Sequence, residues 1–341
     1  MRILLGMSGG VDSTYSALKL IREGHEVEGC VLVMHEYTDV DAAKRGAEEL
    51  GIPLHVVDCR EDFDRAVKPY FVSEYLKART PNPCIVCNPE VKFKHLCRLA
   101  NEGGFDAVAT GHYARVIIKD GHYAVVVAAD ASKDQSYMLA RLPESVLKML
   151  VLPLADEIKT DVRTDAERSA LSSSSARDSQ EICFLPDNDY AAFIESVSGA
   201  SPHGSFIDEQ GHVLGEHNGI IRYTVGQRKG LGIALGARAF VTEISPENNT
   251  VRLSLTPSST DTVTLTDTVY SGIDAPAPTT EMRVSVKLRY KAPRVSATAV
   301  IGEGGTLTLS LDEPARSVTP GQAAVIYDGD TVIACGFIDK G

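Results

Sequence analysis

Two groups of residues in this 341-residue sequence have the types and spacing to do chemistry. The first is Ser8-Gly9-Gly10-Val11-Asp12-Ser13, which follows a short apolar run at residues 3–6 and opens a helical pattern. Two glycines let the backbone turn sharply, and the N–H groups of the loop and helix start then face one point, which suits an anion such as pyrophosphate. The string is neither G-x-x-x-x-G-K-[ST] nor G-x-G-x-x-G, so the common triphosphate and dinucleotide motifs lack their key residues here. The simpler reading is a turn that caps a helix through Ser8 or Asp12. The second group is sulfur. Thr80-Pro81-Asn82-Pro83-Cys84-Ile85-Val86-Cys87-Asn88 reads as a proline-locked loop between two helical segments, and Asp178-Ser179-Gln180-Glu181-Ile182-Cys183-Phe184 places another cysteine after a serine run at 172–175. Prolines reduce a loop's freedom and so hold a thiol in place. A nucleophilic sulfur also needs thiolate character, and Lys92, Lys94, Arg79 and Arg177 are the cations available to supply it.

The seven cysteines (30, 59, 84, 87, 97, 183 and 335) form an odd set in a chain without an export signal. That fits reduced thiols used for metal binding or catalysis better than a disulfide framework. Cys30, Cys59 and Cys335 lie in apolar runs and are expected to be buried hydrophobes. No apolar run approaches the roughly 20 residues of a membrane helix, so a cytoplasmic protein with no membrane partner is expected.

The elements that must position these groups change along the chain. Short β-branched runs at 3–6, 27–34, 54–57 and 107–110 alternate with helical stretches at 13–23, 40–50 and 62–76. This predicts βαβ units around a parallel sheet, an α/β fold. Residues 120–198 read as irregular and helical. Beyond residue 199 come alternating runs at 240–244, 251–255, 263–269, 283–288, 295–300, 307–311, 323–327 and 332–337, which predict a closing β-barrel. The expected domains are 1–198, 199–260 and 261–341.

The glycine loop resembles the PP-loop of ATP pyrophosphatases, which cleave ATP between its α- and β-phosphates and adenylate a carbonyl-type oxygen. Seven strings in order then resemble the tRNA-specific 2-thiouridylase family: GMSGGVDS, TPNPCIVCN, ATGHYAR, KDQSYML, DSQEICFL, YTVGQRKGLGI and the pair Arg289-Tyr290. The resemblance spans nearly the whole chain. It implies a PP-loop domain, a small central domain and a C-terminal β-barrel, and 2-thiolation of the wobble uridine of tRNA.

Position by position, it implies ATP binding by Gly6, Met7, Ser8, Gly9, Gly10, Val11, Asp12 and Ser13, with Leu32 and Gly111 near the adenine. Cys87 matches the nucleophile and Cys183 the persulfide carrier, with Asp12 in the catalytic loop. Asn82, Pro83 and Cys84 match the stretch that meets the target base. Lys133, Asp134, Gln135, Arg289 and Tyr290 match tRNA contacts, and Arg228 and Lys229, between flexible glycines, suit phosphate contact. Some family members carry Asp where this chain has Cys84.

The implied route starts with adenylation of the uridine 2-oxygen by ATP, with Mg²⁺ screening the pyrophosphate. Sulfur is loaded on Cys183 by an upstream persulfide donor and then transferred, with Cys87 resolving the persulfide into a disulfide. Cys84, Cys87 and Cys183 also fit a less favoured iron-sulfur cluster with one open iron. A structural zinc would need a fourth ligand, and His95 and Cys97 fall on the predicted helix at 91–102. Beyond the family, a PP-loop synthetase for a small metabolite and a non-enzymatic tRNA binder remain as rivals.

The net charge of −12 argues against a polyanionic partner only as an average. Residues 77–98 carry +4, 219–238 carry +4 and 282–294 carry +5, which leaves −25 on the rest. Those strips coincide with the motifs matched to base or tRNA contact.

Overall fold

A computed structural model describes residues 1–176, 182–185, 187–233, 236–302 and 305–340. Its N-terminal part is built from β1 (Arg2–Gly6), α1 (Val11–Arg22), β2 (Glu26–Val33), α2 (Val40–Leu50), β3 (Leu54–Asp58), α3 (Arg60–Leu76), α4 (Pro83–Cys87), a π-helical turn (Asn88–Lys92), α5 (Phe93–Gly103) and β4 (Ala107–Thr110). The sheet order is β3-β2-β1-β4 with all pairs parallel, and β7 (Leu150–Val151) joins beyond β4. Buried Ile3, Leu4 and Leu5 show why β1 is central, since a parallel strand covered on both faces is apolar throughout. The chain leaves β1 toward β2 on one side and reaches β4 on the other. The carboxyl edge between β1 and β4 is therefore a topological switch point, where open α/β sheets bind ligands.

Between 120 and 126 the structure departs from the helical expectation. β5 (Arg115–Lys119) and β6 (His122–Val126) form a hairpin whose two turn residues, Asp120 and Gly121, have φ of 51° and 87°. Asp-Gly is a common pair for such a turn, a local signal outweighed in the sequence by the irregular stretch that follows. Short helices α6 (Ser136–Leu139) and α7 (Glu144–Leu147) precede β7, and α8 (Lys159–Arg168) and α9 (Tyr190–Ser198) follow it.

The central unit is a four-stranded sheet ordered β10-β11-β8-β9, from β8 (Gly204–Ile207), β9 (Val213–His217), β10 (Phe240–Ser245) and β11 (Thr250–Ser254). The runs at 240–244 and 251–255 form strands here, whereas β8 and β9, each with a glycine, carry little alternation. The last six strands are β12 (Ser259–Tyr270), β13 (Glu281–Lys287), β14 (Val295–Ile301), β15 (Leu307–Arg316), β16 (Ala323–Asp328) and β17 (Thr331–Lys340). They run β12-β15-β14-β13-β16-β17 and close through β12 on β17, so the barrel has no free edge within its ring. Val263, Leu265, Val286, Leu309 and Ile326 fill it.

The barrel packs on the N-terminal part. Ala323, Val325, Tyr327 and Cys335 share one core with Phe71, Ile85 and Tyr137, and β6 pairs with β17 at Val126 and Thr331. Tyr137 Oη donates to the carbonyl of Ala323 at 2.9 Å across that junction. A buried hydrogen bond of this kind contributes about 1 kcal/mol net, so burial of the shared core supplies most of the docking. Among the described residues no helix is long and apolar enough to cross a membrane.

Candidate active site

The glycine loop turns at the switch point. Gly9 has φ +79°, and a Cβ there would stand 2.3 Å from the backbone of Ala42 in α2, so glycine is required on two counts. Gly10 is the N-cap of α1 and receives no side-chain cap; Ser13 Oγ instead donates to its carbonyl at 3.0 Å and accepts from Ser8 N at 3.2 Å. The loop is thereby closed on itself with the start of α1 pointing at its mouth, an anion cradle by geometry. Gly111, just past β4, touches the other side: a Cβ would lie 2.8 Å from the carbonyl carbon of Asp12. Leu32 lies buried near the end of β2.

Asp12, in the first turn of α1, accepts from Lys159 Nζ at 2.6 and 2.7 Å and from Tyr113 Oη at 2.9 Å. Lys159 begins α8 and is buried, while a third of the Asp12 side chain stays exposed. Neither partner stands out in the sequence, because both reach Asp12 from more than a hundred residues away.

The thiols stand on a helix rather than a loop. Asn82 accepts from Cys84 N at 3.2 Å as N-cap and Pro83 fills the first helical position, so the residues that looked like breakers start α4. Cys84 and Cys87 are therefore one turn apart. A π turn follows, closed by Phe93 N donating to the Asn88 carbonyl, and α5 continues from it. Asn88 Nδ2 donates to the carbonyl of Met138 in α6 at 2.7 Å, which fixes the thiol helix from the far side. Cys87 Sγ lies 3.7 Å from Met34 Sδ, just past the end of β2, so this thiol stands at the same sheet edge as the anion loop.

Cys183 is positioned by its neighbour. Phe184 meets Phe63, Phe71 and Phe193 edge-on at 5.3, 5.3 and 5.5 Å. Each such aromatic pair adds roughly 1 kcal/mol beyond burial. Arg177 and residues 178–181 of the same motif lie outside the described residues.

Burial raises all three thiols: Cys87 to about 12, Cys183 to about 11, and Cys84 in the same direction. For each, the positive charge of Lys92 works against burial, and Cys87 also feels both other sulfurs. Cys84 and Cys183 reach solvent, whereas Cys87 is buried. Of the other cations near in sequence, Arg79 is tied to Glu74 at 2.7 Å and Asp339 at 2.8 Å, and exposed Lys94 leans toward Asp62 at 3.7 Å.

Among the described residues no three His, Cys, Asp or Glu side chains converge to hold a metal ion. His95 is buried against Asp62 at 2.8 Å and Arg98 at 3.1 Å, which gives it a structural role. His112 bonds Thr110 Oγ1 at 2.8 Å, and burial and then Lys92 depress it to about 3, so it is neutral near pH 7. Cys30, Cys59 and Cys335 are buried as expected.

The polar residues matched to tRNA divide. Arg228 and Lys229 are exposed, and Lys133 is half-buried. Asp134, in contrast, is buried and accepts from Ala128 N, Ser136 N and Ser136 Oγ, because it caps the start of α6 from inside. Gln135 is bonded to the backbone of Tyr113 in both directions, by Oε1 at 2.9 Å and N at 2.7 Å. Arg289 donates to the carbonyls of Ser317 and Val225 and to Thr319 Oγ1, joining the barrel to the central unit, and Tyr290 packs on Tyr137 at 5.7 Å. Asp134 is thus fully occupied inside the fold, while Gln135, Arg289 and Tyr290 are half-buried, each with a partner in the protein.

A parallel sheet with a glycine-bent anion loop at its switch point, paired thiols beside it and a closed barrel behind it defines a PP-loop enzyme with appended β units. Family models match in order along the chain: tRNA methyl transferase HUP domain over residues 1–187, tRNA methyl transferase PRC-barrel domain over 191–254 and aminomethyltransferase beta-barrel domain over 260–338. The tRNA-specific 2-thiouridylase MnmA of Acetivibrio thermocellus is 41% identical over 356 residues, covering 99% of each chain. That of Geobacter metallireducens is 41% identical over 362 residues, covering 99% of this chain and 96% of its own. Among solved structures, a 4-thiouridine synthetase–RNA complex with bound ATP is 19% identical with a TM-score of 0.36, covering 57% of this chain and 50% of that one. The chain belongs to the tRNA-specific 2-thiouridylase family.

Proposed function

We propose that the protein is an ATP-dependent tRNA-uridine 2-sulfurtransferase. The observation that carries the reading is the shared sheet edge: the anion loop and the Cys87 thiol meet at the ends of β1 and β2, with Cys183 near enough to oppose the ionisation of Cys87. The family membership supplies the substrate class, and the domains divide at 198/199 and 260/261.

The loop N–H groups and the α1 start hold the ATP phosphates, with the adenine over Leu32 and Gly111. Attack by the uridine 2-oxygen on the α-phosphorus forms the O–P bond and expels pyrophosphate. Asp12, the part-exposed carboxylate of the loop, would help to hold Mg²⁺, which would supply charge screening for the pyrophosphate. A persulfide on Cys183, loaded by an upstream sulfur donor, attacks C2 through its outer sulfur, and the original oxygen departs with AMP. The Cys87 thiolate then attacks Cys183 Sγ, breaking the S–S bond. The outer sulfur stays on the base, and the resulting Cys87–Cys183 disulfide is reset by a thiol reductant. Asn82, Pro83 and Cys84 face the target base from the start of α4, while Arg228 and Lys229, which are exposed, and Lys133 are the tRNA contacts.

The test is reconstitution with unmodified tRNA, ATP, Mg²⁺ and a persulfide donor, read as 2-thiouridine by nucleoside mass spectrometry. Product is expected with wild type and absent without ATP or with Cys183→Ala. Thiolation that survives either omission overturns the reading, and ATP cleavage without any tRNA requirement favours a small-molecule synthetase.

A further inference from the structure

Thr80, half-buried just ahead of the thiol helix, is held by both β units. Its N–H donates to the carbonyl of Pro320 at 2.8 Å, and its own carbonyl accepts from Gln322 Nε2 at 2.7 Å, so the barrel satisfies both of its backbone groups. The Thr80 hydroxyl shares a hydrogen bond at 3.0 Å with that of Thr224 in the central unit. The barrel turn is fitted to this contact, since Gly321 has φ +86° and a Cβ there would stand 2.9 Å from Thr80 N. That turn is itself laced to β17: Gly321 N donates to the Ile338 carbonyl and Ile338 N to the Gln322 carbonyl, each at 2.9 Å. On the other side, Thr224 N donates to Gln227 Oε1 and Gln227 Nε2 to the Lys229 carbonyl, both at 3.0 Å. The turn that exposes Arg228 and Lys229 therefore connects, bond by bond, to Thr80.

We propose that Thr80 is a positioning residue for sulfur transfer, through which the barrel and the central unit together set the placement of the thiol helix. The chain that follows Thr80 transmits this placement stiffly. Pro81 and Pro83 are buried, their rings fix φ, and neither has an N–H with which to make an anchor of its own. Asn82, between them, accepts from Cys84 N as the N-cap of α4, so little freedom remains between the clamp at Thr80 and the first thiol. Cys87 stands one turn further along the same helix. Placement matters here because a misplacement of about 1 Å at a reacting group can cost about a hundredfold in rate. The turn that offers cations to tRNA and the helix that carries the thiols thus share one frame. This gives the two β units a role in the chemistry besides gripping the substrate.

This inference rests on the sulfur-transfer reading, and two measurements keep them apart. Thr80→Val removes the hydroxyl, Thr80→Ser keeps it, and Gln322→Met removes the donor to the Thr80 carbonyl. In hydrogen exchange followed by mass spectrometry, Thr80→Val and Gln322→Met are expected to speed exchange of the α4 amides about tenfold and to leave those of α1 unchanged. In single-turnover thiolation at saturating tRNA and ATP, both are expected to be slowed about tenfold per folded molecule, with Thr80→Ser within about threefold of wild type. The Kd values of Thr80→Val for tRNA and ATP should hold, because a role in stability alone lowers the folded fraction and not the rate of the folded enzyme. A wild-type rate in either folded variant, unchanged α4 exchange in both, or Thr80→Ser as slow as Thr80→Val overturns the proposal. If wild type makes no 2-thiouridine while the exchange pattern holds, the functional reading fails and the clamp of Thr80 on α4 stands.

Discussion

Lys159 Nζ reaches both carboxylate oxygens of Asp12, at 2.6 and 2.7 Å, across 147 residues of sequence. The start of α8 is thus fixed to the first turn of α1, directly behind the anion loop. The pair is lopsided, since Lys159 is buried and Asp12 meets solvent, and the two ends should respond differently to substitution.

Asp12→Asn removes the carboxylate that the buried Lys159 ammonium bonds through both oxygens. The cost is about 2–3 kcal/mol, below the middle of the range for a broken buried pair because Asp12 is one-third exposed. Lys159→Met removes the buried charge and leaves a carboxylate that Tyr113 and water still serve, at about 1 kcal/mol. Urea unfolding of the two variants ranks them, with equal losses contradicting the asymmetry. Both are expected to abolish AMP formation.

How much of this was legible in the sequence depends on how far apart the interacting residues are. Ala107–Thr110 and Val40–Leu50 form the predicted elements because a short apolar run and a helix period are both local signals. The eight C-terminal runs are all strands for the same reason. The thiol helix reads as a loop because Pro81 and Pro83 look like breakers, while Asn82 as N-cap and Pro83 at the first position are what a helix start requires. The β5–β6 hairpin announces itself only by Asp120-Gly121. Lys159, Tyr113 and the inward turn of Asp134 and Arg289 could not be read at all, since each depends on a tertiary partner. Lys133-Asp134-Gln135 shows the limit well: three adjacent polar residues, of which two are bonded inside the fold.

Five thiols, Cys30, Cys59, Cys87, Cys183 and Cys335, are held at about 11 to 12 by burial, against about 9 when unfolded. An acid whose folded pKa is raised keeps its proton while the unfolded chain loses one. Stability is therefore full below pH 9 and falls as the pH rises toward the folded values. Counting only the four buried thiols, the loss from pH 8 to pH 10 is on the order of 4 kcal/mol, at up to 1.4 kcal/mol per thiol and pH unit. Urea unfolding between pH 8 and 10 measures it. Cys30→Ala with Cys335→Ala should roughly halve the slope, whatever their constant cost in packing, and a flat wild-type profile would contradict the burial of these thiols.

The basic strips make the final prediction, and the structure separates their members. Arg228 and Lys229 are exposed beside glycines, with nothing in the protein to neutralise them among the described residues. Arg289 spends its guanidinium on Ser317, Thr319 and Val225, and burial lowers its pKa. Arg228→Glu with Lys229→Glu should weaken tRNA binding at least tenfold and reduce the slope of log K against log salt by about 2, since every phosphate left without its cation keeps roughly one counterion that binding would otherwise release. Arg289→Ala should lower the unfolding midpoint by removing the guanidinium's bonds to Ser317, Thr319 and Val225, which Thr319 Oγ1 replaces only in part, and change the salt slope little. Filter binding at a series of salt concentrations reads both. A salt slope that falls with Arg289→Ala and holds with the double reversal would move the tRNA path from the exposed loop to the junction between the central unit and the barrel.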